Sequence, residues 1–168
     1  MNKYHLKDEL TKKIGVLMRR ETEVRILIPF LQGLYEEFGK DKILNILEKT
    51  IKEIAKTQGE ELSKEYGNNI DAFLDTLKFW TKDDALEIDI LEKSDSKLSF
   101  NVTRCKYAEM YTALGISDLG TVLSCNRDAS LIKGFNPKAT LDRKKTIMSG
   151  SKCCTFRYNF KKKNKFEK

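Results

Sequence analysis

The hydrophobic period of this chain changes near residue 84, and that change limits the folds open to it. Before that point apolar residues recur at helical spacing. Leu10, Ile14, Leu17 and Met18, then Ile26, Leu27, Phe30, Leu31 and Leu34, predict a helix from Asp8 to about Phe38. Pro29 lacks a backbone donor, so this helix is expected to kink or divide there, and Gly39 to end it. Ile43, Leu44, Leu47, Ile51 and Ile54 form the stripe of a second helix, from about Asp41 to Lys56, with Asp41 as its N-cap. Gly59 to Asn69 is polar, and Gly67, Asn68 and Asn69 mark a break. A third helix, Ile70 to Trp80, turns Phe73, Leu74, Leu77 and Trp80 inward.

After the change the pattern alternates. Leu86, Ile88 and Ile90 are interleaved with Glu87 and Asp89, and Leu98, Phe100 and Val102 with Ser99, Asn101 and Thr103. With the polar turn Lys93 to Lys97 between them, these predict a β-hairpin with one buried face. Cys105 to Leu114 returns to helix, closed by Gly115, and Asp118 to Leu123 fits a short one. Gly134, Asn136 and Pro137 read as a loop, and Lys138 to Ile147 and Cys154 to Phe160 as two last strands. Helices, hairpin, helix, hairpin is the order of an α+β fold, with N-terminal helices packed on a roughly four-stranded antiparallel sheet. The expected organisation is a single domain over 1–168: a helical part at about 8–80, an α+β part at about 84–160 and a basic tail at 161–168.

Charge and cysteine usage exclude several function classes. The net charge is +7, but the stretch from Arg157 to Lys168, with six Lys/Arg and one Glu, supplies +5 of it. A basic tail on a nearly balanced body is not the folded basic face that nucleic acid requires. No apolar run approaches a membrane span, and the first residues lack an apolar signal core, so the expectation is a cytoplasmic protein without membrane contact. The four cysteines of such a chain read as free thiols, metal ligands or nucleophiles rather than disulfides. The single histidine, His5, leaves little room for a Cys-His catalytic pair or a His-rich metal site. Amphipathic N-terminal helices could serve a homo-oligomer interface.

The chemistry-bearing residues concentrate between Phe100 and Asp128. Cys105 ends a strand and opens a helix, where free N–H groups and the helix dipole favour a thiolate, and Arg104 and Lys106 add positive charge. Glu109 lies one turn along the same face, so the pair suits a nucleophile with its acid–base partner, two ligands of one metal, or a buried thiol beside a solvated carboxylate. Cys125, Asn126, Arg127 and Asp128 follow the apolar Val122 and Leu123. Asn126 can donate to a developing oxyanion, Arg127 can bind a carboxylate and Asp128 can move a proton; the same residues also suit a turn or a helix cap. Cys154 shares a face with Phe156. It reads as a small buried hydrophobe or as a third thiol that, with Cys105, Cys125 and Glu109 or Asp128, would make a tetrahedral zinc set.

RRETEVRILIP (Arg19–Pro29), FNVTRCKYAEMY (Phe100–Tyr111), LGISDLGTVLSCNRD (Leu114–Asp128), GFNPKATLDRKKTIMSG (Gly134–Gly150) and CTFRY (Cys154–Tyr158) together resemble the L-2-amino-thiazoline-4-carboxylic acid hydrolase family. The resemblance implies hydrolytic opening of a small cyclic amidine at a C–N bond. From their chemistry and position, Cys105 or Cys125 is expected as nucleophile, Glu109 and Asp128 as acid–base partners, and Arg127 as carboxylate clamp beside Arg104 and Asn126; the resemblance does not choose between the thiols or exclude a metal-bound water. The chain departs from that family where Cys153 and Thr155 stand in place of a histidine and an aspartate flanking the last cysteine. The ending Gly150, Cys154, Phe156 is also similar to vinyl-reductase-type ligand-binding domains. That resemblance implies a non-catalytic small-molecule sensor whose cysteines hold zinc.

Overall fold

The computed structural model describes residues 9–160. The basic tail and His5 lie outside the described residues. Seven helices and four strands follow the order α1 (Glu9–Phe38), α2 (Lys40–Tyr66), α3 (Ile70–Thr76), α4 (Lys78–Thr81), β1 (Leu86–Lys93), β2 (Lys97–Cys105), α5 (Lys106–Ala113), α6 (Ser117–Leu123), α7 (Asp128–Phe135), β3 (Ala139–Asp142) and β4 (Cys154–Phe160). All strand pairs are antiparallel, in the order β1-β2-β4-β3. The α+β class expected from the change of period is the one observed.

Three local expectations are corrected. First, α1 breaks at Gly15, not at Pro29. Gly15 takes φ 74°, a conformation that L side chains rarely adopt, and the Lys82 side chain packs across it while donating to the Lys13 carbonyl at 2.6 Å. Pro29 sits on the exposed side, and the helix continues through it. Second, α2 runs ten residues further than its apolar stripe, through Gly59. A Cβ at Gly59 would collide with the backbone of Leu131 and Phe135, and one at Gly134 with the backbone of Lys56. These glycines let α2 and α7 touch backbone to backbone, so Gly134 belongs to a helix and not to the expected loop. Third, the predicted strand Lys138 to Ile147 stops at Asp142, and a 3₁₀ turn, Ile147–Ser149, follows it.

The inner face of the sheet carries Leu98, Phe100, Val102, Cys154, Tyr158 and Phe160, under Phe73 of α3 and Leu131, Ile132 and Phe135 of α7. Register pairs Phe100 with Phe156 and Val102 with Cys154, and the two phenylalanine rings stack at 4.8 Å. Bulges between Glu87/Ile88 and Ile90/Glu92 shift β1, which leaves Ile90 exposed instead of on the expected buried face. A second core gathers Val16 and Val24 of α1, Phe79, Tyr107, Tyr111 and Leu123. Cys105, Trp80 and Leu86 pack against both cores, so the end of β2 stands where the two meet.

Candidate functional site

Cys105 closes β2 in an extended conformation, one residue before α5. No cap hydrogen bond closes on its sulfur, although the N–H groups of Ala108 and Tyr107 lie near enough to favour the thiolate. Burial outweighs them and pushes the thiol up to about 11. The activation expected from a helix start is therefore overridden by desolvation. The flanking cations do not turn toward it. Arg104 donates to Glu109 at 2.8 and 3.3 Å on the exposed side of α5, and Lys106 donates to the Asp83 carbonyl at 2.7 Å. Glu109, held below the usual carboxylate range by Arg104, is drawn away from the thiols and poorly suited to donate a proton.

Cys125, Asn126 and Arg127 form a 3₁₀ turn, Cys125–Arg127, that runs straight into α7 at Asp128. Successive side chains of this turn diverge. Asp128 points toward Arg143, with which it forms an ion pair; Arg143 also donates to the Cys125 carbonyl at 2.7 Å and lies 5.4 Å over the Phe156 ring. The Asp128 side chain keeps 27% of its surface exposed, yet its carboxyl is desolvated enough to be pushed up to about 6 against the pull of Arg143 and Arg127. Burial, and then the neighbouring Asp128, push Cys125 up to about 12. Cys154 is buried, accepts the Ile147 N–H at 3.2 Å and is likewise raised by burial. Asn126 turns away and donates to Glu48 at 3.2 Å. At the positions that depart from the family pattern, Cys153 is half-buried, and the Thr155 hydroxyl accepts the N–H groups of Lys144 and Lys145 at 3.2 Å each.

Cys105, Cys125, Cys154 and Asp128 are thus close enough to act on one another's ionisation. They do not form the expected zinc set. Among the described residues no group of three His, Cys, Asp or Glu side chains converges as a metal site requires. The sulfurs come from the end of β2, the turn before α7 and the start of β4.

Arg127 points the other way. It is 6% exposed, donates to Gln58 of α2, and stays charged at neutral pH although burial and the nearby Arg20 pull it down to about 9. It lines a cavity of about 520 Å³ between α1, α2 and α4, with Arg19, Arg20, Gln58, Phe79 and Trp80 in the wall. Glu23 bonds both Arg19, at 2.6 Å, and Arg20. The Tyr107 hydroxyl donates to the Trp80 carbonyl at 3.1 Å and ties this wall to α5 beside Cys105.

The family model for L-2-amino-thiazoline-4-carboxylic acid hydrolase matches residues 19–158, from the cavity's Arg19 to Tyr158 of the last strand. This chain belongs to that family. Membership supports a hydrolase-type function, and the matched span holds the thiols, Asp128, Arg143 and the arginines of the cavity. No curated protein matches the chain. Among solved structures it is similar to a trafficking protein particle complex subunit 3 from Naegleria fowleri covalently bound to palmitic acid, at 16% identity and a TM-score of 0.46, covering 84% of this chain and 97% of that one. No helix of the described residues is long and apolar enough to cross a membrane.

Two charged residues of this region are not singled out by the sequence. Arg143 falls within an expected strand, although it stands in one of the family-like blocks. Arg20 lies on a long helix, where a charged residue ordinarily faces water; its signal is its place beside Arg19 at the head of RRETEVRILIP.

Proposed function

We propose that this chain is a hydrolase that opens a small, carboxylate-bearing cyclic amidine of the 2-amino-thiazoline type at its ring C–N bond. One observation carries the reading: adjacent residues join a guanidinium facing a cavity, Arg127, to a carboxyl that titrates near neutrality among thiols, Asp128. Arg127, with Arg20 beside it, takes the substrate carboxylate. Asp128 handles protons, because its raised value lets it both accept and return one near pH 6. Cys125 is the nucleophile favoured over Cys105, since its turn runs directly into Asp128, whereas Cys105 stands at the end of β2.

The atoms balance as follows. Asp128 takes the Cys125 proton as sulfur adds to the carbon of the protonated amidine, and the ring C–N bond breaks as Asp128 passes that proton to the ring N–H, which leaves as an amine. Water, deprotonated by Asp128, then adds to the same carbon, and the carbon–sulfur bond breaks as Asp128 returns that proton to the Cys125 sulfur. The cluster is open enough for this, since Cys105, Cys125 and Asp128 are only half-buried.

A second reading follows from a different observation. Arg127 lines the cavity, but the thiols and Asp128 do not. On this second reading the cavity binds a carboxylate at Arg127, and the thiols and Asp128 take no part.

The test is ring opening of 2-amino-thiazoline-4-carboxylate by the purified chain, with calorimetric binding in parallel. The hydrolase reading expects turnover. Asp128→Asn and Cys125→Ser should lower kcat by about 10²–10⁴ with the circular dichroism unchanged, and Arg127→Lys should mainly raise KM. Binding without turnover establishes the second reading; turnover that survives in Cys125→Ser removes the thiol step and leaves Asp128 acting on water.

A further inference from the structure

Among the described residues, helix α1 buries one side and leaves the other uncovered. Val24 and Leu31 are buried, and Leu27 and Ile28 pack into the second core. On the opposite side Thr22, Ile26, Pro29, Phe30, Gly33 and Glu37 are all exposed, Ile26 by 77% and Phe30 by 61%. From Ile26 to Tyr35 there is no charged residue, in a chain that is 34% charged. Single exposed apolar residues are ordinary, but a continuous apolar stripe on a helix marks an interaction surface.

We propose that this face docks a second copy of the chain, as an antiparallel pair of α1 helices about a two-fold axis at the Pro29–Phe30 peptide. The spacing of the exposed positions carries the register. Reversed about that peptide, the set maps onto itself: Thr22 falls on Glu37, Ile26 on Gly33 and Pro29 on Phe30. A two-fold interface requires such self-complementarity, because one patch must fit its own copy. Ile26 of each copy then meets Gly33 of the other. Nothing lies within 4 Å of where a Cβ at Gly33 would stand, so it offers Ile26 an open hollow.

Charge agrees with the same register. Arg25 and Glu36 are both exposed and lie three helical turns apart on one flank of α1. Antiparallel two-fold pairing brings like flanks together and sets Arg25 within about 3 Å, along the helix axis, of the partner's Glu36. Arg25 already bonds Glu21 at 2.6 Å, so its guanidinium would sit between two carboxylates. A parallel pair separates these flanks and sets Ile26 against Ile26, which loses both the hollow and the ion pair.

Sedimentation equilibrium of the full chain tests this. The wild type is expected at twice its 19.5 kDa chain mass. Ile26→Glu with Phe30→Glu is expected to give a monomer with unchanged circular dichroism. Arg25→Glu and Glu36→Arg should each weaken the dimer several-fold, and the chain carrying both should recover it, a rescue that general loss of folding does not produce. A wild type that stays monomeric at every concentration overturns the proposal. So does a dimer indifferent to Ile26→Glu with Phe30→Glu, or a double charge swap no better than the single ones. A monomer that binds vesicles of phosphatidylcholine and phosphatidylglycerol, and loses that binding on Ile26→Glu, assigns the face to a lipid surface instead and equally overturns it.

Discussion

The turn at Cys125–Arg127 sends its side chains into two regions that treat charge differently. On the sheet side, Asp128 is answered by Arg143, which also holds a carbonyl and covers an aromatic ring. That region is packed, and its charges satisfy one another. On the helix side, Arg127 and Arg20 have their partners in Gln58 and Glu23 and line the cavity. Two cations brought close together in a largely dehydrated wall oppose each other, as the lowered value of Arg127 reflects, and an anionic ligand relieves that opposition.

The largest expected effect breaks both regions together. Gly59 sits in α2 next to Gln58 and lets α7, which begins at Asp128, approach backbone to backbone. Gly59→Ala forces the helices apart and should cost about 3 kcal/mol or more in urea unfolding, with loss of ligand binding. A loss below about 1 kcal/mol would mean that the helix contact gives way without consequence for either region.

The next effect is one of pH and belongs to the sheet side. The folded chain keeps the Asp128 proton up to about pH 6, whereas the ordinary value is 3.8, so between these values the folded state binds more protons than the unfolded one. Stability therefore falls as pH rises from about 4 to about 6, by roughly 2–3 kcal/mol for a shift of two units. Asp128→Asn should remove that slope, and a slope that persists would place its origin elsewhere.

Arg143→Ala tests how closed the sheet side is. It leaves Asp128 without its cation, and because that carboxylate keeps some exposure the cost should be ~2 kcal/mol, below the value for a sealed pair. Thermal melts at pH 7 measure it, and the deficit should shrink at pH 4.5, where Asp128 is protonated. The smallest effect is at Glu109, whose exposed pair with Arg104 belongs to neither region. Glu109→Gln should leave turnover and melting temperature at wild-type values; a large loss of turnover would return Glu109 to the site.

Much of this was legible before any coordinates. The paired strands, the helix after Cys105 and the inward face of Cys154 follow from alternation and spacing, since a buried face must repeat with the period of its backbone. Helix α7 was not legible. Its eight residues open on polar side chains and contain Gly134, and only the α2 backbone lying against it explains a glycine there. Of the readings open for Cys105, the buried thiol beside a solvated carboxylate is the one observed, and the sequence alone does not choose it. A helix start favours a thiolate by a local field, but desolvation depends on what the rest of the chain stacks over the sulfur.

The sequence by itself determined the α+β class, the family and the residue types able to do the chemistry, because periodicity and local motifs are written in neighbouring positions. Only the tertiary structure decided that Arg127 turns to Gln58 and the cavity while Asp128 turns to Arg143, that Arg20 lies beside Arg127, and that Glu109 pairs with Arg104 on the exposed side. Most of those outcomes depend on contacts between residues far apart in the chain, and burial and charge act through distance in space rather than separation in sequence.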